Sequence, residues 1–158
     1  KSQRTKIAKP QSVIKDKLMN ASRSVRIIAQ YVRSLRMDAP VRPYEVKTPG
    51  SSGLKVDCAC EALPEENHWR MSFGTSVSVS SPEGAPRLEA AVAIECVCLV
   101  EGVDAQEEAE ALLLRNVLPS LYGAARSLVT SLTVPSGHAA VLLPPVTTDQ
   151  LIDMVLTE

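Results

Sequence analysis

The sequence predicts an α+β protein: a four-stranded antiparallel sheet, followed by a long kinked helix and a short C-terminal helix packed on one face. Three observations predict this class. Apolar and polar residues alternate with period two in four segments between residues 23 and 101. After Gly102 the apolar spacing changes to the helical period, and it holds for roughly 30 residues. A last helical segment follows near the C-terminus, so strands precede helices throughout.

The first predicted strand follows Arg23 and ends before Pro40, because proline offers no N–H to a strand ladder. Arg33 interrupts its apolar face. The loop that follows, residues 41–53, is rich in Pro, Gly and Ser. Alternation places these residues on one face of the strand: Val25, Ile27, Ala29, Tyr31, Leu35 and Met37.

Three cleaner strands follow, separated by turns at residues 64–67 and 81–84. Each has one apolar face and one polar or mixed face, which is typical of an antiparallel sheet covered on one side. Their predicted core faces are Leu54, Val56, Cys58, Cys60 and Ala62, then Trp69, Met71, Phe73, Thr75, Val77 and Val79, then Leu88, Ala90, Val92, Ile94, Cys96, Cys98 and Val100.

The helical region is predicted to begin at Asp104, which forms a capping box with Glu107. Pro119 removes one helical hydrogen bond and should kink or restart the helix. A short last helix is predicted from about Thr148, with Asp149 as its cap.

Composition indicates one domain with an aliphatic core. Of 158 residues 45% are hydrophobic, yet the chain has one Phe, one Trp and three Tyr. No apolar run approaches the ~20 residues that span a bilayer, and no signal peptide is visible. We therefore expect a soluble cytoplasmic protein without membrane insertion. Because the chain begins with Lys1 rather than Met, we also expect that its natural amino terminus has been trimmed.

Charge is distributed unevenly. Residues 1–47 carry twelve Lys and Arg against three Asp and Glu, whereas residues 48–158 carry five against fifteen. We predict a basic flexible arm at residues 1–22 and a folded domain at residues 23–158. The simplest interpretation is a solvated terminus that contacts the protein's own acidic body. Nucleic-acid binding through phosphate contacts is disfavoured, because no aromatic residue is interleaved before Tyr31.

The four cysteines raise the question of a metal site. Cys58 and Cys60, like Cys96 and Cys98, are separated by one residue on a predicted strand, so each pair shares an apolar face. Zinc sites more often use two to four intervening residues on turns. We therefore expect reduced core cysteines and no metal.

No catalytic motif is recognisable. The two histidines, His68 and His138, have no partner pattern, and there is no nucleophile elbow, phosphate loop or His-Glu zinc motif. Arg126 is best interpreted as a salt-bridge or interface residue. We expect neither enzymatic activity nor a cofactor.

Three short stretches resemble the SecB protein-export chaperone family. The C-terminal part is similar in the spacing from Arg126 through Thr130-Ser131 to Pro145-Val146. Residues 37–43, Met-Asp-Ala-Pro-Val-Arg-Pro, resemble the family's exit from its first strand. Residues 100–103, Val-Glu-Gly-Val, resemble its passage into the long helix. The resemblance covers about 130 residues, from the first strand to the end.

The resemblance implies a homotetramer, a dimer of dimers, that holds non-native or precursor polypeptides in hydrophobic grooves without ATP. In the export branch such proteins hand clients to the SecA motor; Glu89 and Glu95 lie in the neighbourhood of the acidic docking patch. The family's groove would correspond here to Val41, Tyr44, Val46, Leu121, Tyr122, Val141, Leu143, Val146, Leu151 and Met154.

Three alternatives stay open, and the first is nucleic-acid binding through the basic arm at residues 1–22. The sequence departs from the family pattern at Gly123-Ala124 and at Cys96-Val97-Cys98, and its aromatic content is low. These departures suit a SecB-like chaperone dedicated to one client, such as an antitoxin. A scaffold that only oligomerises through the sheet and the long helix is the third alternative.

Overall fold

One four-stranded antiparallel sheet organises residues 23–157, the part of the chain that this computed structural model describes. The sheet order is β1-β4-β3-β2, so the first strand is added beside the last strand of a three-stranded meander. The strands are β1 (Ser24–Asp38), β2 (Ser51–Ala62), β3 (His68–Ser80) and β4 (Pro86–Glu101). The predicted fold class is confirmed. The predicted basic arm, residues 1–22, lies outside the described residues.

Three helices pack on one face of the sheet: α1 (Gln106–Asn116), α2 (Leu118–Thr133) and α3 (Thr148–Leu156). The predicted long helix is therefore two helices that meet at Val117. Pro119 is the second residue of α2, where its missing N–H costs no helical hydrogen bond. This is the restart that the sequence predicted at that proline.

Both predicted helix caps are wrong by one or two residues. Ala105 precedes α1 and makes no side-chain cap, so Asp104 does not form a capping box. The hydroxyl of Thr147 caps α3: Thr147 Oγ1 accepts from the Gln150 amide at 3.3 Å, and Gln150 Oε1 accepts from the Thr147 amide at 2.9 Å. Asp149 instead lies in the first turn of α3, where its negative charge interacts favourably with the positive end of the helix dipole.

The core lies between the sheet and the helices. Alternate residues of β2, β3 and β4 point into it, as the period-two pattern predicts. Removing such aliphatic side chains from water is the main stabilising contribution to a layered fold of this kind. The helices contribute the fully buried residues Leu113, Leu118, Leu121, Ala125 and Val129.

Strand β1 departs from its predicted register. Its pairing with β4 shifts after Ile27 and again after Val32. Each extra residue moves the following side chains to the opposite face of the sheet. Tyr31 therefore pairs with Glu95 on the outer face, the side away from the helices. Placing Ala29 and Tyr31 with the core residues was wrong for this reason.

Candidate functional site

An open cavity of about 400 Å³ lies between the loop that joins β1 to β2 and the extended segment that joins α2 to α3. We call it the groove. Apolar atoms form somewhat more of its surface than polar atoms do. Its lining residues are Val46, Thr48, Pro49, Gly50, Ser52, Val79, Arg87, Leu88, His138, Ala139, Ala140, Val141 and Leu142.

The β1–β2 loop forms one wall, and Arg87 holds it in place. The guanidinium of Arg87 donates to the carbonyl oxygen of Thr48 at 2.6 Å and to its hydroxyl at 3.1 Å. Gly50 lies against β3, where an added Cβ would be 2.1 Å from the carbonyl oxygen of Ser80. The loop is therefore fixed by one side chain and one close backbone approach.

The segment after α2 forms the opposite wall. It leaves the helix through a short 3-10 turn, Val134–Ser136, which ends at Gly137 with a φ of 77°. The hydroxyl of Thr133 accepts from the Val141 amide at 3.1 Å, and the hydroxyl of Tyr122 donates to the Pro144 carbonyl at 2.7 Å. With these anchors in place, Ala139, Ala140 and Leu142 stay exposed.

A histidine joins the two walls at one end. Nε2 of His138 lies 2.9 Å from the carbonyl oxygen of Val41, so the ring bridges the α2–α3 segment and the β1–β2 loop. At the neighbouring Gly137, an added Cβ would be 3.2 Å from Pro43 Cγ. The groove is thus closed by contacts between residues far apart in sequence.

The predicted client-binding residues separate into three groups. Val46 and Val141 line the groove; Val41 and the exposed Tyr44 belong to the same loop. Val146 and Met154 are partly buried against the core. The other four are core residues with no surface to offer a client in this structure: Leu121, Tyr122, Leu143 and Leu151.

The two predicted partner-docking glutamates both lie on the outer face of β4, in different settings. Glu95 is covered by neighbours: Tyr31 donates to its carboxylate at 2.7 Å, Arg33 forms an ion pair with it, and Ser72 Oγ lies at 3.4 Å. The Tyr31 hydrogen bond, followed by that of Arg33, lowers the pKa of Glu95. Glu89 is exposed and lines a depression of about 290 Å³ with Arg36 and Lys55.

The four cysteines face the helices from two strands that are not neighbours. β3 lies between them, so Met71 is in register between Cys60 and Cys96. A hydrogen bond to Cys60 and burial raise the pKa of Cys58; a hydrogen bond to Cys96 and burial raise that of Cys98. Within residues 23–157, no group of three or more His, Cys, Asp or Glu is arranged to hold a metal ion.

Sequence reasoning missed the residues that build the groove, above all Thr48, Arg87 and His138. Arg87 contacts a residue 39 positions away and His138 one 97 positions away. The available signal was weak: Arg87 is one of only five cations in residues 48–158. Over the described range, no helix has the length and apolar character that crossing a bilayer requires.

Comparison with known proteins shows the fold. No family model matches the chain, and no curated protein does. The chain is similar to the SecB-like chaperone Rv1957 of Mycobacterium tuberculosis, solved with a ChAD peptide from the Rv1956 HigA1 antitoxin. That match has a TM-score of 0.66 and 13% identity, and covers 84% of this chain and 95% of that one. The fold is therefore SecB-like.

A second solved structure, a protein of unknown function from Streptococcus agalactiae, has a TM-score of 0.38 and 15% identity. The match covers 79% of this chain and 100% of that chain.

Proposed function

We propose that this protein is an ATP-independent chaperone, a holdase, that binds apolar segments of non-native polypeptides in the groove. The observation that carries the proposal is the groove itself, an exposed aliphatic surface on a SecB-like fold. An unfolded client presents apolar side chains in no fixed order, so its capture needs exposed apolar surface more than specific contacts. Val46, Val141 and the highly exposed Leu142 offer that surface.

A chaperone dedicated to one client, such as an antitoxin, is the second candidate. The similar Rv1957 chaperone was solved with an antitoxin peptide. The groove lining within residues 23–157 has no aromatic side chain, and such a groove suits one matched aliphatic segment better than many clients. The two candidates differ in breadth: a general holdase protects several unrelated unfolded proteins, whereas a dedicated one protects few or none of them.

Assembly belongs to the same proposal. β1 is an edge strand of 15 residues, and most of its helix-facing apolar side chains are exposed in the single chain. Long, apolar edge strands are usually covered in native proteins. We expect a cytoplasmic homo-oligomer, with the tetramer of the SecB family as the specific prediction.

Delivery to SecA for export stays a prediction too. The exposed Glu89 is the docking residue available for it, because Glu95 is already hydrogen bonded.

The test is light scattering from a denatured, aggregating model protein, with and without this protein at near-stoichiometric amounts. Leu142→Asp places a charge at the mouth of the groove and should abolish suppression. Leu156→Asp is the matched control, because Leu156 is exposed to the same degree, 70% against 67%, and lies outside the groove. Equal activity of the two variants, or no suppression by the wild type with any of several clients, would contradict a general holdase.

A further inference from the structure

Arg87 places a positive charge in the wall of a groove that is otherwise mostly aliphatic. The residue is only 9% exposed, and its guanidinium contacts the neutral carbonyl and hydroxyl groups of Thr48. Three ion pairs occur in residues 23–157, and Arg87 belongs to none of them. A buried charge without a counter-ion is costly, so this site favours the arrival of an anion.

The surroundings of Arg87 strengthen this preference. Among residues 23–157, the groove lining contains no Asp or Glu, and its other ionisable side chain is His138. The carboxylate of Glu83, in the exposed β3–β4 turn, already accepts other hydrogen bonds. Hydrogen bonds from its own backbone amide and from Ser81 lower the pKa of Glu83, and the Arg87 charge adds a smaller effect. The local field inside the groove is therefore positive.

Within the part of the chain that the structure describes, Arg87 also keeps donors free for a ligand. A guanidinium has five N–H donors in a planar fork, and the two bonds to Thr48 use one donor on each terminal nitrogen. The remaining donors match a carboxylate, which forms charge-assisted bonds that are stronger than neutral ones. Val46, Val79 and Leu142 supply aliphatic surface beside this charge.

We infer that the polypeptide segment that occupies the groove is aliphatic and carries an Asp or Glu side chain that pairs with Arg87. This inference rests on the proposed function and names the class of client segment. The basic residues 1–22 of the chain itself carry six Lys and Arg against one Asp, so their charge does not suit this site.

The test compares short synthetic peptides by fluorescence anisotropy, each with a neutral fluorophore, an acetylated amino terminus and an amidated carboxyl terminus. One Val/Leu/Ala/Ser peptide carries a central Glu and its partner a central Gln. We expect the Glu peptide to bind the wild-type protein about tenfold more tightly, since a hydrogen-bonded charge pair contributes that much. A third peptide carries the central Gln and a free carboxyl terminus. It should bind no more tightly than the amidated Gln peptide.

Three protein variants distinguish the effect of the Arg87 charge from the effect of the β1–β2 loop conformation. Arg87→Met should reduce the ratio of the Glu and Gln affinities to about one. Thr48→Val removes a loop contact and keeps the charge, so it should weaken both peptides and preserve the ratio. Arg42→Met, which removes an exposed arginine outside the groove, should change neither. Because the readout is a ratio, a general loosening of the loop does not imitate the result.

Other outcomes overturn the inference. If the wild type binds both peptides equally, or if the free carboxyl terminus alone restores tight binding, an internal Asp or Glu is not recognised. If neither peptide binds while aggregation is still suppressed, this inference fails and the proposed function stands. If neither peptide binds and suppression is also absent, the proposed function fails as well.

Discussion

Tyr122 connects the core to the wall of the groove. Its ring packs edge-on against Phe73, with centroids 6.2 Å apart, and its hydroxyl donates to the Pro144 carbonyl at 2.7 Å. Tyr122→Phe keeps the ring contact and removes that hydrogen bond. We expect the free energy of unfolding to fall by about 1 kcal/mol in urea denaturation.

The same substitution should affect the groove locally, because Pro144 holds the segment that carries Leu142. Amide hydrogen exchange in residues 138–143 should become faster. Tyr44→Phe is the control, since Tyr44 is 73% exposed and its ring is not part of the core. A Tyr122→Phe variant with unchanged stability and exchange would show that the Pro144 contact does not hold the segment.

Glu95 provides a pH-dependent prediction. Hydrogen bonds from Tyr31 and then Arg33 lower its pKa in the folded state. A carboxyl of this kind stabilises the fold above its unfolded-state pKa, about 4.3, and the contribution is lost as pH falls through the lower folded value. The difference in the free energy of unfolding between wild type and Glu95→Gln should therefore be present at pH 7 and should disappear below about pH 4.

Carbon-detected NMR titration of the Glu95 carboxyl measures the cause directly. In Tyr31→Phe, which removes the largest contribution, the carboxyl should titrate at a higher pH than in the wild type. An unchanged titration midpoint would mean that Tyr31 does not bind the carboxylate in solution.

Two glycines in different elements should respond oppositely to the same substitution. Gly50→Ala adds a Cβ 2.1 Å from a backbone oxygen of β3, so the β1–β2 loop must move. We expect a loss of about 1–3 kcal/mol, together with weaker peptide binding. Gly123→Ala, on α2, meets no atom of the described residues within 4 Å and should stabilise the protein by about 0.5–1 kcal/mol. Thermal denaturation of both variants checks the two signs.

The sheet and helices could be predicted from the sequence to the extent that local periodicity determines them. Most of the residues predicted to face the core from β2, β3 and β4 do pack there, and Pro119 marks the boundary of α2. β1 could not be placed correctly, because its two register shifts depend on its pairing with β4. A period-two pattern contains no information about extra residues that the partner strand accommodates.

The groove was harder to predict than the fold for a related reason. The resemblance to the SecB family nominated Leu121, Leu143 and Leu151, which are apolar residues suited to the core, and the structure buries all three. The groove forms through contacts that no local pattern encodes, such as Arg87 with Thr48 and His138 with Val41. Only Val46 and Val141 were both predicted for the site and found in its lining.

At the scale of the whole molecule, the exposed side of β1 is the feature that a single chain leaves unexplained. Four apolar residues on its helix-facing side are exposed: Ile27, Val32, Leu35 and Met37. The other edge strand, β2, carries Lys55, Asp57 and Glu61, which discourage edge-to-edge pairing. The asymmetry between the two edges predicts that self-association uses β1.

The test combines Val32→Lys with Leu35→Lys and measures mass by sedimentation velocity. The wild type should sediment as an oligomer, and the double variant should be smaller, because the charges oppose each other across a self-complementary interface. Leu156→Lys, exposed at the far end of the chain, is the control. A monomeric wild type at micromolar concentration would contradict the proposed assembly.

Dissociation of the oligomer should affect the binding of a short peptide and the binding of a long client differently. Each subunit should keep its own groove, because the lining residues found in residues 23–157 include none from β1, the proposed interface strand. The double variant should therefore bind a short aliphatic peptide with nearly unchanged Kd. A long unfolded client contacts several grooves at once, and the effective concentration of the second groove raises avidity without new contacts. Suppression of aggregation should thus weaken far more than peptide binding, and a parallel loss of both would place part of the groove at the subunit interface.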